Sequence, residues 1–445
     1  MSSALCTRKN PSTLCRNLSV NGEGHLTLSG VDTVTMAQKY GTPLYLMDEE
    51  RIRERCRTYL DTMKSAFGDD ALALYASKAA SFRAMYRIMK EEGMGVDVVS
   101  SGEIYTAVSA GFPMEKAYFH SNNKTDADIS YAIDNGIGYF VVDNREELDA
   151  IQRIAEGKGI CQKVLLRLTP GIDPHTYEAV ATGKVDSKFG SAIETGQAEE
   201  MALYASSLSH LDLAGFHCHI GSQVFDSEVF LDGSRIMLDF VAHMKKTHGI
   251  VTRELDLGGG YGVRYLDTDP VIDIAANIRE VAAFVKDYCK SLGLDVPAIR
   301  MEPGRSIVAD AGLTLYSVGT VKRIPGYKNY VSVDGGMTDN PRYALYRSPY
   351  TVVLANRMNA AAPDFTCSVV GRCCESGDIL QENVSLPDDV TRDDLVAVLT
   401  TGAYNYAMSS NYNRIPRPPV VMLSGGADKL AVKRETFEDI CRNDT

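Results

Sequence analysis

The residues that could do chemistry are spread along the chain: Lys78, Asp97, His120, His217, His219, the triplet Gly258-Gly259-Gly260, and the run Glu302-Pro303-Gly304-Arg305. Lys78 closes the apolar run Ala71 to Ser77 and precedes a helical pattern. A lysine so placed is either a solvated surface charge or an amine partly desolvated at the rim of a sheet. In the second case its pKa falls and it becomes a nucleophile toward a carbonyl carbon. Glu302 and Arg305 offer either a surface pair or a carboxylate for a ring nitrogen beside a guanidinium for an anion. The glycine triplet is a flexible turn or a set of bare amides able to approach a phosphate, and it lacks the lysine of a P-loop. His217-Cys218-His219 sets two imidazoles at i and i+2, on one face of a strand. A zinc site would need further ligands, which no CxxC pair or extra histidine cluster supplies, so no metal is expected and an imidazole lying against a planar ligand is the better use.

Such scattered groups need a scaffold that gathers them. From about residue 70, apolar strands alternate with helical patterns, the strands ending near Ser77, Val99, His120, Val142, Leu168, His219, Leu257 and Glu302. Helices are predicted at Phe82 to Glu92, Glu103 to Ala110, Asp126 to Asn135, Arg145 to Ala155, Ala198 to Ser207, Ser227 to His248 and Ile272 to Leu292. Eight β/α units fit a closed parallel barrel, with an open doubly wound sheet as the alternative. In a barrel, reacting groups come from the C-terminal strand ends, where the lysine, histidines, glycines and Glu302 stand. Beyond Gly304 the runs Leu313 to Lys322, Tyr330 to Val333, Thr351 to Leu354, Phe365 to Val370, Leu395 to Leu399 and Pro419 to Leu423 read as strands. The expected fold class is therefore α/β plus all-β: a (β/α)8 barrel over 43–310 and a C-terminal β-sandwich or barrel domain over 311–445, joined by an N-terminal segment, 1–42. An amine for an imine, a carboxylate for a pyridinium and glycines for a phosphate together describe pyridoxal 5'-phosphate, far more specifically than any one of them.

Composition narrows the partners. With 445 residues and 44% hydrophobic content, two buried cores are expected. A net charge of -12 argues against nucleic acid and anionic lipid as partners and favours small molecules. No signal-like h-region opens the chain and no stretch approaches eighteen consecutive apolar residues, so a cytoplasmic protein without membrane contact is expected. Ten cysteines without a CxxC pair read as reduced thiols.

The motifs then become recognisable. Tyr75-Ala76-Ser77-Lys78-Ala79, Asp186 to Gly190, Gly215 to Gln223, Gly258-Gly259-Gly260 and Glu302-Pro303-Gly304-Arg305 stand in order. Asp334-Gly335-Gly336-Met337, Arg342 to Tyr346, Cys374-Glu375-Ser376-Gly377-Asp378 and Gly402-Ala403-Tyr404 follow them. From about residue 40 to 440 the chain resembles the diaminopimelate decarboxylases, within the alanine-racemase-like, fold type III class of pyridoxal phosphate enzymes that also includes ornithine decarboxylase. The resemblance implies decarboxylation of meso-2,6-diaminopimelate to L-lysine, the last step of lysine biosynthesis, by a homodimer whose active sites form at the subunit interface. Other basic amino acids or polyamine precursors are the alternative substrates.

It also implies roles. Lys78 would hold the cofactor, His219 would stack on its ring, and Glu302 would keep the ring nitrogen protonated. Ser222, Gly258, Gly259, Gly260, Gly304, Arg305 and Tyr404 would surround the phosphate. Arg305, Arg342, Tyr346, Glu375 and Tyr404 would bind substrate, with Glu375 for the remote ammonium. Cys374 would come from the partner subunit and donate the proton that replaces carbon dioxide. Tyr343 and Arg347-Ser348 depart from the family pattern, Arg347 adding a cation near the substrate end. Cys373 receives no role.

Overall fold

The computed structural model describes residues 14–172, 187–360 and 364–445, and the chain divides into two compact units. One comprises residues 54–262 and 271–306, and the other residues 14–53, 263–270 and 307–445.

The barrel of the first unit is built from eight strands: β1 (Leu72–Ala76), β2 (Gly95–Val98), β3 (Ala117–Phe119), β4 (Tyr139–Val142), β5 (Gln162–Thr169), β6 (Leu211–Cys218), β7 (Glu254–Asp256) and β8 (Ala298–Met301), with the two-residue strand Ser191–Ala192 added in parallel beside β5. Each pairs in parallel with the next, and β8 returns to β1 through Arg300 opposite Leu72 and Met301 opposite Ala73. The ring is closed, which decides against the open sheet. Five helices of this unit start where a polar side chain accepts from the first turn: Ser100 from Glu103 N–H, Thr125 from Asp128 N–H, Asn144 from Glu147 N–H, Asp226 from Glu228 N–H and Asp273 from Ala276 N–H. Gly93, Gly159, Gly249 and Gly293 end their helices in the left-handed conformation that glycine adopts without strain.

The barrel interior contains a polar layer. Tyr118 and Tyr139 stack with ring centroids 4.3 Å apart, both hydroxyls donate to Glu254, and Arg300 pairs with Glu254 at 3.1 Å. These buried polar groups satisfy one another, as a low-dielectric interior demands.

The second unit is a mixed β-sheet. Gly312–Lys322 is its spine: its first half pairs antiparallel with Leu44–Asp48 and Leu395–Leu399, and after an irregularity at Val318 to Thr320 its second half pairs with Tyr330–Val333. Val420–Ser424 lies parallel to Leu44–Asp48, and Phe365–Val370 lies parallel to Tyr330–Val333. Leu26, Leu28, Leu44, Leu46, Leu313, Leu315, Ala397 and Leu399 form one buried cluster, so the N-terminal strands share this core. The strand Leu44–Asp48, which falls inside the span 43–310 expected for the barrel, pairs entirely within this unit. No helix among the described residues is long and apolar enough to cross a membrane.

Candidate active site

Lys78 sits in a single 3-10 turn, Ser77–Ala79, directly after β1; its neighbours are buried while it is exposed. Gly304 passes close behind this turn. A Cβ there would lie 2.9 Å from the Ala76 side chain and 3.3 Å from that of Ala79, so glycine is required by close approach.

Glu302, one residue past β8, is 6% exposed. His217 Nε2 donates to its Oε2 at 3.2 Å, and His120 Nε2 stands 2.7 Å from its Oε1. The second contact is close but not aligned as a hydrogen bond, leaving Oε1 without an aimed donor. Burial opposes a charge on Glu302, yet His120 and His217 outweigh it and hold the carboxyl well below its usual range. Asp256 and Asp97 go the other way: burial, reinforced in each by the charge of Glu302, raises both. Burial, with Lys78 and Arg167 nearby, keeps His219 far below the usual imidazole range and therefore neutral.

The glycine triplet is shaped by backbone crowding. A Cβ on Gly258 would stand 2.4 Å from Cys218 O, one on Gly259 2.1 Å from Glu302 O, and one on Gly260 2.5 Å from Gly221 O. Gly258 N–H donates to Asp256 Oδ1 at 2.8 Å and Gly259 N–H to His219 Nδ1 at 3.3 Å. Neither amide is bare, which corrects the sequence expectation for these two; the Gly259 bond also assigns the His219 proton to Nε2. Arg305, 7% exposed, donates through Nε and Nη2 to Ser222 Oγ at 3.3 and 3.0 Å. Lys78, His219, Ser222, the triplet, Glu302, Gly304 and Arg305 thus all belong to the C-terminal strand ends of one barrel.

These residues fit pyridoxal phosphate. A buried, ionised carboxylate with an oxygen lacking an aimed donor suits a protonated ring nitrogen, a neutral imidazole can lie flat on a ring, and a hydroxyl beside a guanidinium suits a phosphate.

Arg342, Tyr346, Cys374, Glu375 and Tyr404 belong to the second unit. Arg342 opens the short helix Arg342–Tyr346 and is 4% exposed. It donates through Nη1 to the Tyr350 hydroxyl at 2.7 Å and through Nη2 to Ser348 Oγ at 3.1 Å, with the Tyr265 and Tyr350 rings 5.0 and 5.6 Å from its guanidinium carbon. Among the described residues no carboxylate lies within ion-pair distance of it. Burial works against its charge, but the surrounding tyrosines Tyr265 and Tyr350, and Tyr404 after them, raise its pKa, so it stays a cation. Tyr346 is partly exposed, and Tyr404 adopts a left-handed backbone at φ 60°. Arg347 lies over the Tyr343 ring and 4.0 Å from Glu382 on the strand Ile379–Leu386, which also accepts from the Tyr343 hydroxyl at 2.9 Å, so its charge is met within its own unit.

Cys374 and Glu375 are exposed; Cys374 N–H donates to Asn413 Oδ1 at 2.7 Å, and Glu375 Oε1 accepts from Gly377 N–H at 3.2 Å. Asp378 holds their loop. It accepts from Met337 N–H at 2.6 Å and Cys373 N–H at 2.7 Å, and Gly336 and Gly371 leave the room it occupies. Burial, then Asp378, pushes the Cys373 thiol up to about 12, so Cys373 is a protonated neighbour of this anchor.

Three contributions escaped the sequence reading. His120 stood among the strand-end residues without a task, and its contact with Glu302 joins positions far apart in the chain. Asp256, an acid between Leu255 and Leu257, carried a signal in being charged inside an apolar strand. Tyr265 and Tyr350, which frame Arg342, carried none. Asp186 lies outside the described residues.

Residues 49–309 match the family described as pyridoxal-dependent decarboxylase, pyridoxal binding domain. The chain is 45% identical to diaminopimelate decarboxylase of Bacillus subtilis, over 95% of this chain and 96% of that protein. It is 43% identical to diaminopimelate decarboxylase of Staphylococcus aureus, over 96% and 99%. The crystal structure of the M. jannaschii diaminopimelate decarboxylase in co-complex with L-lysine superposes with a TM-score of 0.88 at 31% identity, covering 96% of this chain and 98% of that one. With Lys78, Glu302 and His219 at the C-terminal strand ends of a closed barrel, the chain belongs to the pyridoxal-dependent decarboxylases, in their diaminopimelate decarboxylase branch.

Proposed function

We propose that this chain decarboxylates meso-2,6-diaminopimelate at its D-centre and releases L-lysine and carbon dioxide. The observation that carries the reading is Arg342, a buried guanidinium held by two hydroxyls with no carboxylate in reach among the described residues. A buried cation without a counter-ion is costly and suits an anion brought by a ligand. Diaminopimelate brings a second carboxylate at the end remote from the reaction, whereas ornithine and arginine have none there. The names of the relatives point to the same substrate.

Bound pyridoxal phosphate supplies an electron sink for the electron pair left when carbon dioxide departs. Lys78 would hold the cofactor through its amine and release it to the substrate amine. Glu302, held as an anion, would keep the ring nitrogen protonated, and neutral His219 would lie against the ring without competing for that proton. Arg305 with Ser222, Gly304 and Tyr404 would take the phosphate beside the Gly258 to Gly260 turn, whose Gly258 and Gly259 amides are already engaged within the protein. Arg342, Tyr346, Tyr404 and Arg305 bind substrate carboxylates, Glu375 takes the remote ammonium, and Cys374 donates the proton that replaces carbon dioxide. A homodimer with shared active sites and a cytoplasmic location belong to the same proposal and rest on the family resemblance. Sedimentation and cell fractionation test them.

The decisive experiment adds pyridoxal phosphate and diaminopimelate to the purified protein and measures carbon dioxide and lysine together. Equal amounts of both are expected. A cofactor-loaded protein that turns over ornithine but not diaminopimelate would refute the reading.

A further inference from the structure

The functional reading uses Glu302 but not the two imidazoles that touch it. His120 follows β3 and His217 lies in β6, strands that are not neighbours in the barrel, so the carboxylate is reached from two sides. His120 Nε2 is 2.7 Å from Oε1 and His217 Nε2 is 3.2 Å from Oε2, one ring for each oxygen. The rings meet edge-on with centroids 4.9 Å apart and planes at 71°. All three side chains are nearly sealed, with His120 4%, His217 0% and Glu302 6% exposed. The backbone N–H of His120 donates to Val98 O at 2.8 Å, which fixes the point from which its ring departs.

Glu302 is not the only acid there. Asp97 on β2 and Asp256 on β7 interact with it; burial together with Glu302, and with Glu103 at Asp97, raises both, outweighing His120 and Lys78, which favour the charge of Asp97, and Arg300, which favours that of Asp256. Lys78 and Arg167 act on His219. Three carboxyls so close in a low-dielectric core do not all ionise. Both imidazoles contact Glu302, and neither lies within ion-pair distance of Asp97 or Asp256.

We propose that His120 and His217 are positioning residues that grip the two oxygens of Glu302, select it over Asp97 and Asp256 as the anion at the barrel mouth, and fix how it meets the cofactor's ring nitrogen. This rests on the pyridoxal phosphate reading above.

The test uses the full chain without substrate. Pyridoxal phosphate labelled with nitrogen-15 in its ring is bound to the wild type, His120→Leu, His120→Gln and His217→Leu, and ring-nitrogen protonation is followed by NMR against pH. In both leucine variants the pH at which the nitrogen loses its proton is expected to fall by about one unit or more. The cofactor dissociation constant should rise in both, about tenfold in His217→Leu, which loses a hydrogen bond to a charged group. His120→Gln, whose amide keeps a polar N–H against Oε1, should recover most of both effects. Leucine and glutamine variants that share a lowered melting temperature but keep the wild-type titration would overturn the proposal, because filling space is then all the rings do. If a leucine variant does not fold, infrared spectra of the cofactor-free protein decide instead. A protonated-carboxyl band should vanish in Asp97→Asn or Asp256→Asn and survive in Glu302→Gln, and the reverse pattern overturns the inference. Neither readout involves diaminopimelate, so an error about the substrate leaves them intact. A wild type that takes up no cofactor would refute the earlier reading and this one together.

Discussion

Replacing Arg342 with leucine should separate substrate choice from stability. In the protein the guanidinium is 4% exposed, bonded to two neutral hydroxyls and flanked by two tyrosine rings. A hydrogen bond to a charged group is worth about 1.5–3 kcal/mol, so losing one to the remote substrate carboxylate lowers kcat/KM for diaminopimelate by roughly 10- to 150-fold. Ornithine has no carboxylate at that end, and its slow turnover should change by less than about threefold. Stability should respond differently. Leucine forfeits two hydrogen bonds from a charged group, worth about 1.5–3 kcal/mol each, but it also removes a buried charge that has no counter-ion among the described residues, and replacing buried charges by apolar side chains is often neutral or stabilising by about 1–4 kcal/mol. The two effects are of similar size, so the melting temperature of the cofactor-free protein should stay within about 4 °C of wild type.

The assay is carbon dioxide release from each substrate in parallel, with calorimetric melts of the same preparations. Equal losses on diaminopimelate and ornithine would show that Arg342 does not read the remote carboxylate. A large fall in melting temperature would show that the guanidinium is a structural strut whose loss damages every activity alike.

Four further perturbations test other parts of the site. Lys78→Ala should abolish turnover, and after borohydride reduction mass spectrometry should find cofactor on the Lys78 peptide of the wild type and on no peptide of the variant. Gly259→Ala would place a Cβ 2.1 Å from Glu302 O, so it should displace that segment, weaken cofactor binding and lower stability by more than about 2 kcal/mol in denaturant melts. Burial raises Glu103 from 4.5 to about 7, against its bond from Val99 N–H and the charge of Lys78. The folded protein then holds a proton that the unfolded chain releases, so its contribution to stability is fully present below pH 4.5 and is lost as pH rises toward about 7; Glu103→Gln should flatten that part of the stability profile. Asp378→Ala leaves Met337 N–H and Cys373 N–H without their acceptor, which should cost about 2–6 kcal/mol and speed alkylation of Cys373.

The barrel was legible because its strands are covered on both sides. Such strands read as unbroken apolar runs, and helix caps such as Ser100, Thr125 and Asn144 punctuate them, so the expected strand ends fall within a residue or so of the observed ones. The β unit was less legible. Ile379–Leu386 interrupts its apolar alternation with Gln381, Glu382 and Asn383, the last at φ 56°, and Ala427–Val432 is a mostly exposed strand, so neither carries the two-residue period. Leu44–Asp48 has the correct pattern for a barrel unit, an apolar strand followed by a helix whose first turn Asp48 caps through Arg51 N–H. What assigns it elsewhere is pairing with residues 312–315 and 420–423, and no local period encodes a partner that distant. The site divides the same way. Lys78 and Glu302 stood out because a charged side chain ending an apolar run is visible by itself. His120 and Asp378 have meaning only through what they touch: an imidazole is informative once a buried carboxylate is beside it, and an aspartate once two amides point at it. Side chains that react can be read from type and position, whereas those that hold them in place need the folded contacts.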